Sequence, residues 1–190
     1  MSIKEKNPNK PLFAIIGMGR SGISAAKVLK KEGKEVLIIE QKKTKKLMEI
    51  AYDLRKLNIK VELGRPLEIE SFKPWLSNIS QVITSPSVNW DNLTLNQFRS
   101  IGIKVQGEIA MAFERLKDIP WIGITGTNGK TTVTEMINHI FTKNNIYAPS
   151  VGNIGYPASE IILNNYSSNN SKPEWLIVEL SSYQIESANN

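Results

Sequence analysis

Three observations predict an α/β protein with parallel sheets. Apolar runs of strand length alternate with stretches of helical periodicity, two of those runs end directly in glycine-rich loops, and each such loop opens a helix. Leu12-Phe13-Ala14-Ile15-Ile16 is continuously apolar and bounded by glycine, which suits a strand buried on both faces. Ser21 to Lys31 follows as a helix with Ile23, Ala26, Val28 and Leu29 apolar; Gly33 closes it and Val36 to Glu40 forms the second strand. Val61 to Leu63, Gln81 to Thr84 and Ile103 to Val105 read as further strands, with helices over Lys43 to Leu57 and Asp91 to Ser100. This opening part is a Rossmann-like doubly wound parallel sheet.

A helical stretch from Gly107 to Lys117 leads to Asp118-Ile119-Pro120, and Trp121 to Ile124 then restarts the order of strand, loop and helix. The expected domains are therefore 1–113 and 114–190. In the second, a helix begins at Lys130, Ala148 to Val151 and Trp175 to Leu180 are strands, Pro157 to Leu163 is helical, and Ser167 to Pro173 is a polar loop. Too few strands follow the boundary to bury both faces of a nucleotide-binding sheet, so a truncated P-loop ATPase-type α/β domain is expected.

The 190 residues are 41% hydrophobic, ordinary for a soluble globular chain. No apolar run approaches the roughly 20 residues that span a bilayer, and the start from Met1 to Lys10 is polar, so a cytoplasmic protein without membrane insertion is expected. The absence of cysteine excludes a disulfide framework, a thiolate metal site and a cysteine nucleophile. Much of the formal charge of +6 lies in the N-terminal tail and in Lys42-Lys43-Thr44-Lys45-Lys46, with little aromatic interleaving. That pattern reads as a solvated helix face rather than a nucleic-acid surface, and its positive potential would steer polyanionic small molecules.

Gly17-Met18-Gly19-Arg20-Ser21-Gly22 has full dinucleotide-loop spacing. Gly17 permits the tight turn, Gly19 lets backbone approach a pyrophosphate, Gly22 lets helix and strand pack closely, and the helix start offers free N–H groups. Glu40, ending the second strand, stands where an acid can bond a ribose hydroxyl. Taken alone, this motif leaves a nicotinamide or flavin site open, and also glycines kept only for packing. Thr125-Gly126-Thr127-Asn128-Gly129-Lys130-Thr131-Thr132 is sharper, because Gly129-Lys130-Thr131 is the core of a loop that surrounds phosphates, neutralises them and ligates magnesium. Ile124 stands where the strict pattern has glycine, so the loop is a variant. Both motifs in one chain point to an enzyme that activates a nucleotide-tagged substrate with ATP.

Gly126 to Thr132 resembles the ATP loop of the Mur ligases, which build the peptide stem of peptidoglycan; folate polyglutamate ligases share a similar loop. Gly152-Asn153-Ile154-Gly155 and Val178-Glu179-Leu180-Ser181-Ser182-Tyr183-Gln184 resemble segments typical of the D-glutamate-adding branch, and the likeness runs from Leu12 to Glu186. The resemblance implies that ATP phosphorylates the carboxylate of UDP-N-acetylmuramoyl-L-alanine and that D-glutamate's amine attacks the acyl phosphate. Lys130 and Glu179 are then the expected catalytic pair, with Gly126, Thr127, Asn128, Gly129, Lys130, Thr131 and Thr132 on ATP and with Thr131 and Glu179 on Mg²⁺. Asn153, Ser181 and Gln184 are implied to orient the acyl substrate. Gly17, Gly19, Arg20, Ser21 and Gly22 would face the UDP diphosphate, and Glu40, Gln41 and Ser85-Pro86-Ser87 the uridine.

Two departures stand out. The family commonly has glycine where this chain has Ser87, which must then hold an ordinary φ or accept strain. The family's later metal-binding histidine, carbamylated lysine and C-terminal D-glutamate-binding domain are expected beyond Asn190, so an N-terminal fragment, monomeric and unable to turn over alone, is expected. His139, the one histidine, reads as packing or surface, and the tryptophans as core or boundary residues. The alternatives are a NAD-dependent oxidoreductase and a non-catalytic nucleotide-binding module. The Lys130 loop discriminates, because hydride transfer has no use for it.

Overall fold

The computed structural model describes residues 10–165 and 171–188. The tail before Lys10 and part of the expected polar loop, residues 167–170, lie outside the described residues. Five strands, β1 (Leu12–Ile16), β2 (Glu35–Glu40), β3 (Lys60–Leu63), β4 (Ile79–Thr84) and β5 (Lys104–Gly107), form one parallel sheet in the order β3-β2-β1-β4-β5. Three more, β6 (Trp121–Ile124), β7 (Ser150–Gly152) and β8 (Leu176–Glu179), form a second parallel sheet in the order β6-β8-β7. The helices are α1 (Arg20–Lys31), α2 (Lys45–Lys56), α3 (Leu93–Ser100), α4 (Glu108–Leu116), α5 (Lys130–Lys143), α6 (Ala158–Asn165) and α7 (Ser182–Glu186).

Two helix starts fall where a side chain takes up an orphan N–H. Thr44 accepts from the Leu47 N–H at 3.3 Å, so α2 begins at Lys45 instead of Lys43. Asn92 accepts from the Thr94 N–H at 2.8 Å and moves the start of α3 to Leu93. Two 3₁₀ turns, Ile69–Phe72 and Leu76–Asn78, and the short α7 are too brief to show a period and were not foreseen. The first turn is anchored by Phe72, edge-on to Phe98 at 4.9 Å between ring centres.

The first sheet is covered on both faces, as its near-continuous apolar strands require. One face packs with α3 and the 3₁₀ turns around Phe72, Leu95 and Phe98. The other carries α1, α2 and α4, and its apolar cluster runs without interruption into the second unit through Ala158, Ile161 and Ile162 of α6. Helix α6 lies against both α1 and α4. Arg115 of α4 adds a two-pronged ion pair to Glu32 at 2.6 and 2.8 Å, tying α4 to the end of α1. Residue 113 falls within α4, the helix around which the two units join. No helix among the described residues is long and apolar enough to cross a membrane.

Candidate active site

Strand order reverses between β1 and β4, and ligands of open parallel sheets sit outside the strand ends at such a point. A cleft of about 530 Å³ opens there, within the size range of ligand pockets, lined by Gly17, Gly19, Glu40, Gln41 and Ser87 among others. Gly17 holds a φ of +94°. A Cβ on Gly22 would stand 2.1 Å from the Gly17 carbonyl oxygen, so the start of α1 meets the loop at a distance that only glycine allows. Glu40 does local work as well: its carboxylate accepts the Met18 N–H at 2.8 Å and the Lys42 N–H at 2.9 Å, tethering the glycine loop to the end of β2. Ser87 holds an ordinary φ, since the non-glycine residues at positive φ among those described are Asn58 and Asn145.

The second loop closes at Gly129, whose φ of +77° turns the chain into α5. No side chain caps α5, so its first N–H groups remain for a ligand. The Lys130 ammonium is folded over its own loop, donating to the carbonyls of Gly126 at 2.7 Å and Thr127 at 3.4 Å. Thr127, Asn128, Thr131 and Thr132 lie exposed around it.

The order β6-β8-β7 makes Glu179, at the end of the middle strand, the meeting point of the loops that leave its neighbours. Thr131 donates its hydroxyl to one carboxylate oxygen at 2.9 Å, and Asn153 donates its side-chain amide to the other at 2.8 Å. Glu179 is 1% exposed. Gly152 makes this convergence possible: its φ is +101°, and a Cβ there would stand 2.4 Å from the Glu179 carbonyl oxygen.

These residues fit a magnesium ion. Adjacent ligands of an octahedral ion at about 2.1 Å lie about 3.0 Å apart, and the Thr131 hydroxyl and Glu179 carboxylate are separated by 2.9 Å. Among the described residues no three His, Cys, Asp or Glu side chains cluster as a ready-made metal site. A divalent ion here would rely on one carboxylate, one hydroxyl, phosphate oxygens and water, which is the habit of magnesium at nucleotide sites.

A connecting cleft of about 290 Å³ runs between the glycine loop of the first unit and the Gly152–Asn153 segment of the second, lined by Gly19, Arg20, Ser21, Ser87, Gly152 and Asn153 among others. Gly19 and Ser87 line the first cleft too, so the two clefts adjoin, and the second extends to Asn153, whose side chain bonds Glu179. Arg20 also stacks over the Tyr156 ring at 5.5 Å. Ser181 and Gln184 are placed differently: they form the capping box of α7, with the Gln184 side-chain oxygen accepting from the Ser181 N–H at 2.9 Å. Gln184 is buried and lines a small internal cavity beside Ser85, Pro86 and Glu108 instead of the connecting cleft. His139 is exposed.

Sequence reasoning missed Glu108. It is 2% exposed, and its carboxylate accepts the Ser159 N–H at 2.7 Å across the junction of the two units. Burial raises its pKa above the usual carboxylate range, bonds from Ser159 oppose the shift, and the charge of Glu160 adds to it. Its sequence signal is faint, an acid at the first position of an amphipathic helix, where helix polarity alone accounts for it.

Residues 12–107 match the N-terminal domain described as Mur ligase MurD-like, and residues 124–190 match the Mur ligase middle domain. Relatives named UDP-N-acetylmuramoylalanine--D-glutamate ligase include one from Prochlorococcus marinus strain MIT 9313, 48% identical over 92% of this chain and 38% of its own length. Another, from Prochlorococcus marinus strain SARG, is 48% identical over 98% of this chain and 40% of its own. A third, from Synechococcus sp. strain CC9902, is 45% identical over 94% and 39%. The chain thus spans 38 to 40% of the length of these curated relatives. The crystal structure of UDP-N-acetylmuramate:L-alanyl-gamma-D-glutamyl-meso-diaminopimelate ligase from Neisseria meningitides shares the fold, with a TM-score of 0.51 at 17% identity over 90% of this chain and 52% of that one. A murein peptide ligase from Psychrobacter arcticus 273-4 gives the same TM-score of 0.51 and identity of 17%, over 91% and 38%. With the MurD-like match alone covering half of the residues and the middle-domain match following it, the chain belongs to the Mur ligase family.

Proposed function

We propose that this chain carries the UDP-substrate and ATP sites of a cytoplasmic ligase that adds D-glutamate to UDP-N-acetylmuramoyl-L-alanine in peptidoglycan synthesis. Residues 1–113 act as the UDP unit and 114–190 as the ATP unit. The observation that carries the reading is the connecting cleft, which leads from the glycine loop and Ser87 to Asn153, the partner of Glu179.

In this reading Lys130 leaves the carbonyls of Gly126 and Thr127 and turns its charge on the β- and γ-phosphates, while the uncapped start of α5 gives N–H groups to their oxygens. Thr131 and Glu179 would hold Mg²⁺, which when bound supplies further neutralisation of phosphate charge. Asn153, fixed through both its backbone and side-chain N–H groups to Glu179, faces the acyl end of the substrate. Gly19, Arg20 and Ser21 hold the diphosphate, so the substrate carboxylate is delivered to the γ-phosphate by position instead of by a covalent enzyme group. The carboxylate takes the phosphoryl group from ATP, and the amine of D-glutamate then displaces inorganic phosphate to form the amide.

Differential scanning calorimetry tests this. UDP-N-acetylmuramoyl-L-alanine at a hundredfold over its Kd should stabilise the chain by about 2.7 kcal/mol, and NADH should not. Stabilisation by NADH alone overturns the reading.

A further inference from the structure

Glu108 opens α4 in the first unit, yet its carboxylate bonds the Ser159 N–H in the first turn of α6 in the second. Helix starts leave N–H groups without internal partners, and a carboxylate there is favoured by the helix dipole as well. Helix α6 follows directly on the segment Gly152 to Pro157, which carries Asn153 and lines the connecting cleft. That segment is closed on itself by the Gly152 N–H on the Tyr156 carbonyl at 3.0 Å, and joined to Glu179 by the Asn153 N–H at 2.9 Å. Two polar links reach it from the first unit: Arg20 over Tyr156 on the open side, and Glu108 under the start of α6 on the buried side. We propose that Glu108 is a positioning residue for the acyl-substrate site, holding α6, and through it Asn153, in register with the nucleotide cleft of the first unit. This rests on the substrate reading given above.

The prediction separates two ligands. UDP ends at its diphosphate, held by Gly19, Arg20 and Ser21 of the first unit, whereas UDP-N-acetylmuramoyl-L-alanine extends on toward Asn153 of the second, so only the longer ligand should sense the register. Titration calorimetry compares both ligands on the wild-type chain and on Glu108→Gln, Glu108→Asp and Glu108→Leu. UDP should bind all four alike. The added affinity of the longer ligand should survive in Glu108→Gln, whose amide oxygen still accepts from Ser159, and should fall about tenfold in Glu108→Leu, the size of one lost charge-assisted hydrogen bond. Glu108→Asp, with its carboxylate withdrawn by one methylene, should lose part of it, and it decides the matter should the leucine variant fail to fold and bind no UDP. Full retention of the increment in a leucine or aspartate variant that binds UDP normally overturns the proposal. A wild-type chain that binds UDP but gains nothing from the muramoyl-alanyl arm fails earlier, and overturns the substrate reading together with this one.

Discussion

Alanine at Gly22 and alanine at Gly19 should have opposite effects, although both glycines belong to one motif. Gly22 lies inside α1, where alanine gains about 0.8–1.0 kcal/mol of helix propensity over glycine. Against that, its Cβ would sit 2.1 Å from the Gly17 carbonyl oxygen and 3.1 Å from the Ser85 hydroxyl, below the 3.0 Å floor of real contacts in the first case. The start of α1 must therefore retreat by roughly 1 Å, lifting a helix whose Ala25, Ala26, Val28 and Leu29 are fully buried. Overlap with a backbone carbonyl, which cannot swing aside as a side-chain end can, takes the upper part of the overpacking range, about 2–3 kcal/mol, which leaves a net loss of about 1–2 kcal/mol after the propensity gain. For a chain of this size that lowers the melting temperature by about 2–8 °C. At Gly19 a Cβ meets nothing within 4 Å and φ is −76°, so the cost is confined to alanine's weaker N-cap preference, about 0.5 kcal/mol. Its methyl would instead enter both clefts that Gly19 lines and weaken UDP binding. Melting curves and UDP titrations of the two variants check this. If Gly19→Ala melts lower than Gly22→Ala, or binds UDP as the wild type does, the division of labour among the glycines is refuted.

Thr131→Val should destabilise the chain by about 1–3 kcal/mol, because it removes a donor from a buried carboxylate, and Thr131→Ser should restore it; calorimetric melting distinguishes the two. Lys130→Ala should leave the melting temperature almost unchanged, since the ammonium bonds only carbonyls of its own exposed loop, but should abolish stabilisation by ATP with Mg²⁺. Persistent ATP stabilisation would remove Lys130 from its assigned role. Glu108 has a raised pKa, chiefly from burial with a contribution from Glu160, so the folded chain keeps that proton to higher pH than the unfolded chain. Its stabilising effect is complete below the unfolded value of about 4.3 and is lost as pH rises through the folded value. Glu108→Gln does not titrate and should gain on the wild type as pH rises from about 4.3, seen as a widening difference in melting temperature; a flat difference up to about pH 8 contradicts the raised pKa.

The conformations of both glycine loops were legible because they are local: glycines at fixed offsets between an apolar strand and an amphipathic helix encode turn, approach and N-terminus within a few residues. Strand ends were less legible. Ile103 reads as strand by its side chain, but the ladder from β4 begins at Lys104 and extends to Gly107. Gln184 shows what local reasoning does not place. Its segment sits beside the Glu179 strand end in sequence, yet its side chain is spent on the Ser181 cap and buried toward Ser85 and Glu108. Glu108 was illegible for the complementary reason, because its partner Ser159 is distant in sequence and only the packing of α4 on α6 brings them together.

Strand order explains why so few residues suffice for the second site. Were the strands paired in sequence order, β6-β7-β8, the Glu179 strand would be an edge and the Thr131 loop would lie two strands away. The observed order puts β8 in the middle, with Ile124 and Gly152 both in register with Glu179. The first turn of α5, which follows β6, then supplies Thr131 to one carboxylate oxygen, and the loop after β7 supplies Asn153 to the other. In the proposed reading, a buried carboxylate held from both sides would not turn away from an arriving cation, so little reorganisation would remain for binding to drive. Glu179→Asp keeps the charge but draws it back from both donors at once. It should therefore cost more ATP and Mg²⁺ affinity than Asn153→Ala, which releases only one side, and equal losses would show that the two donors do not act together.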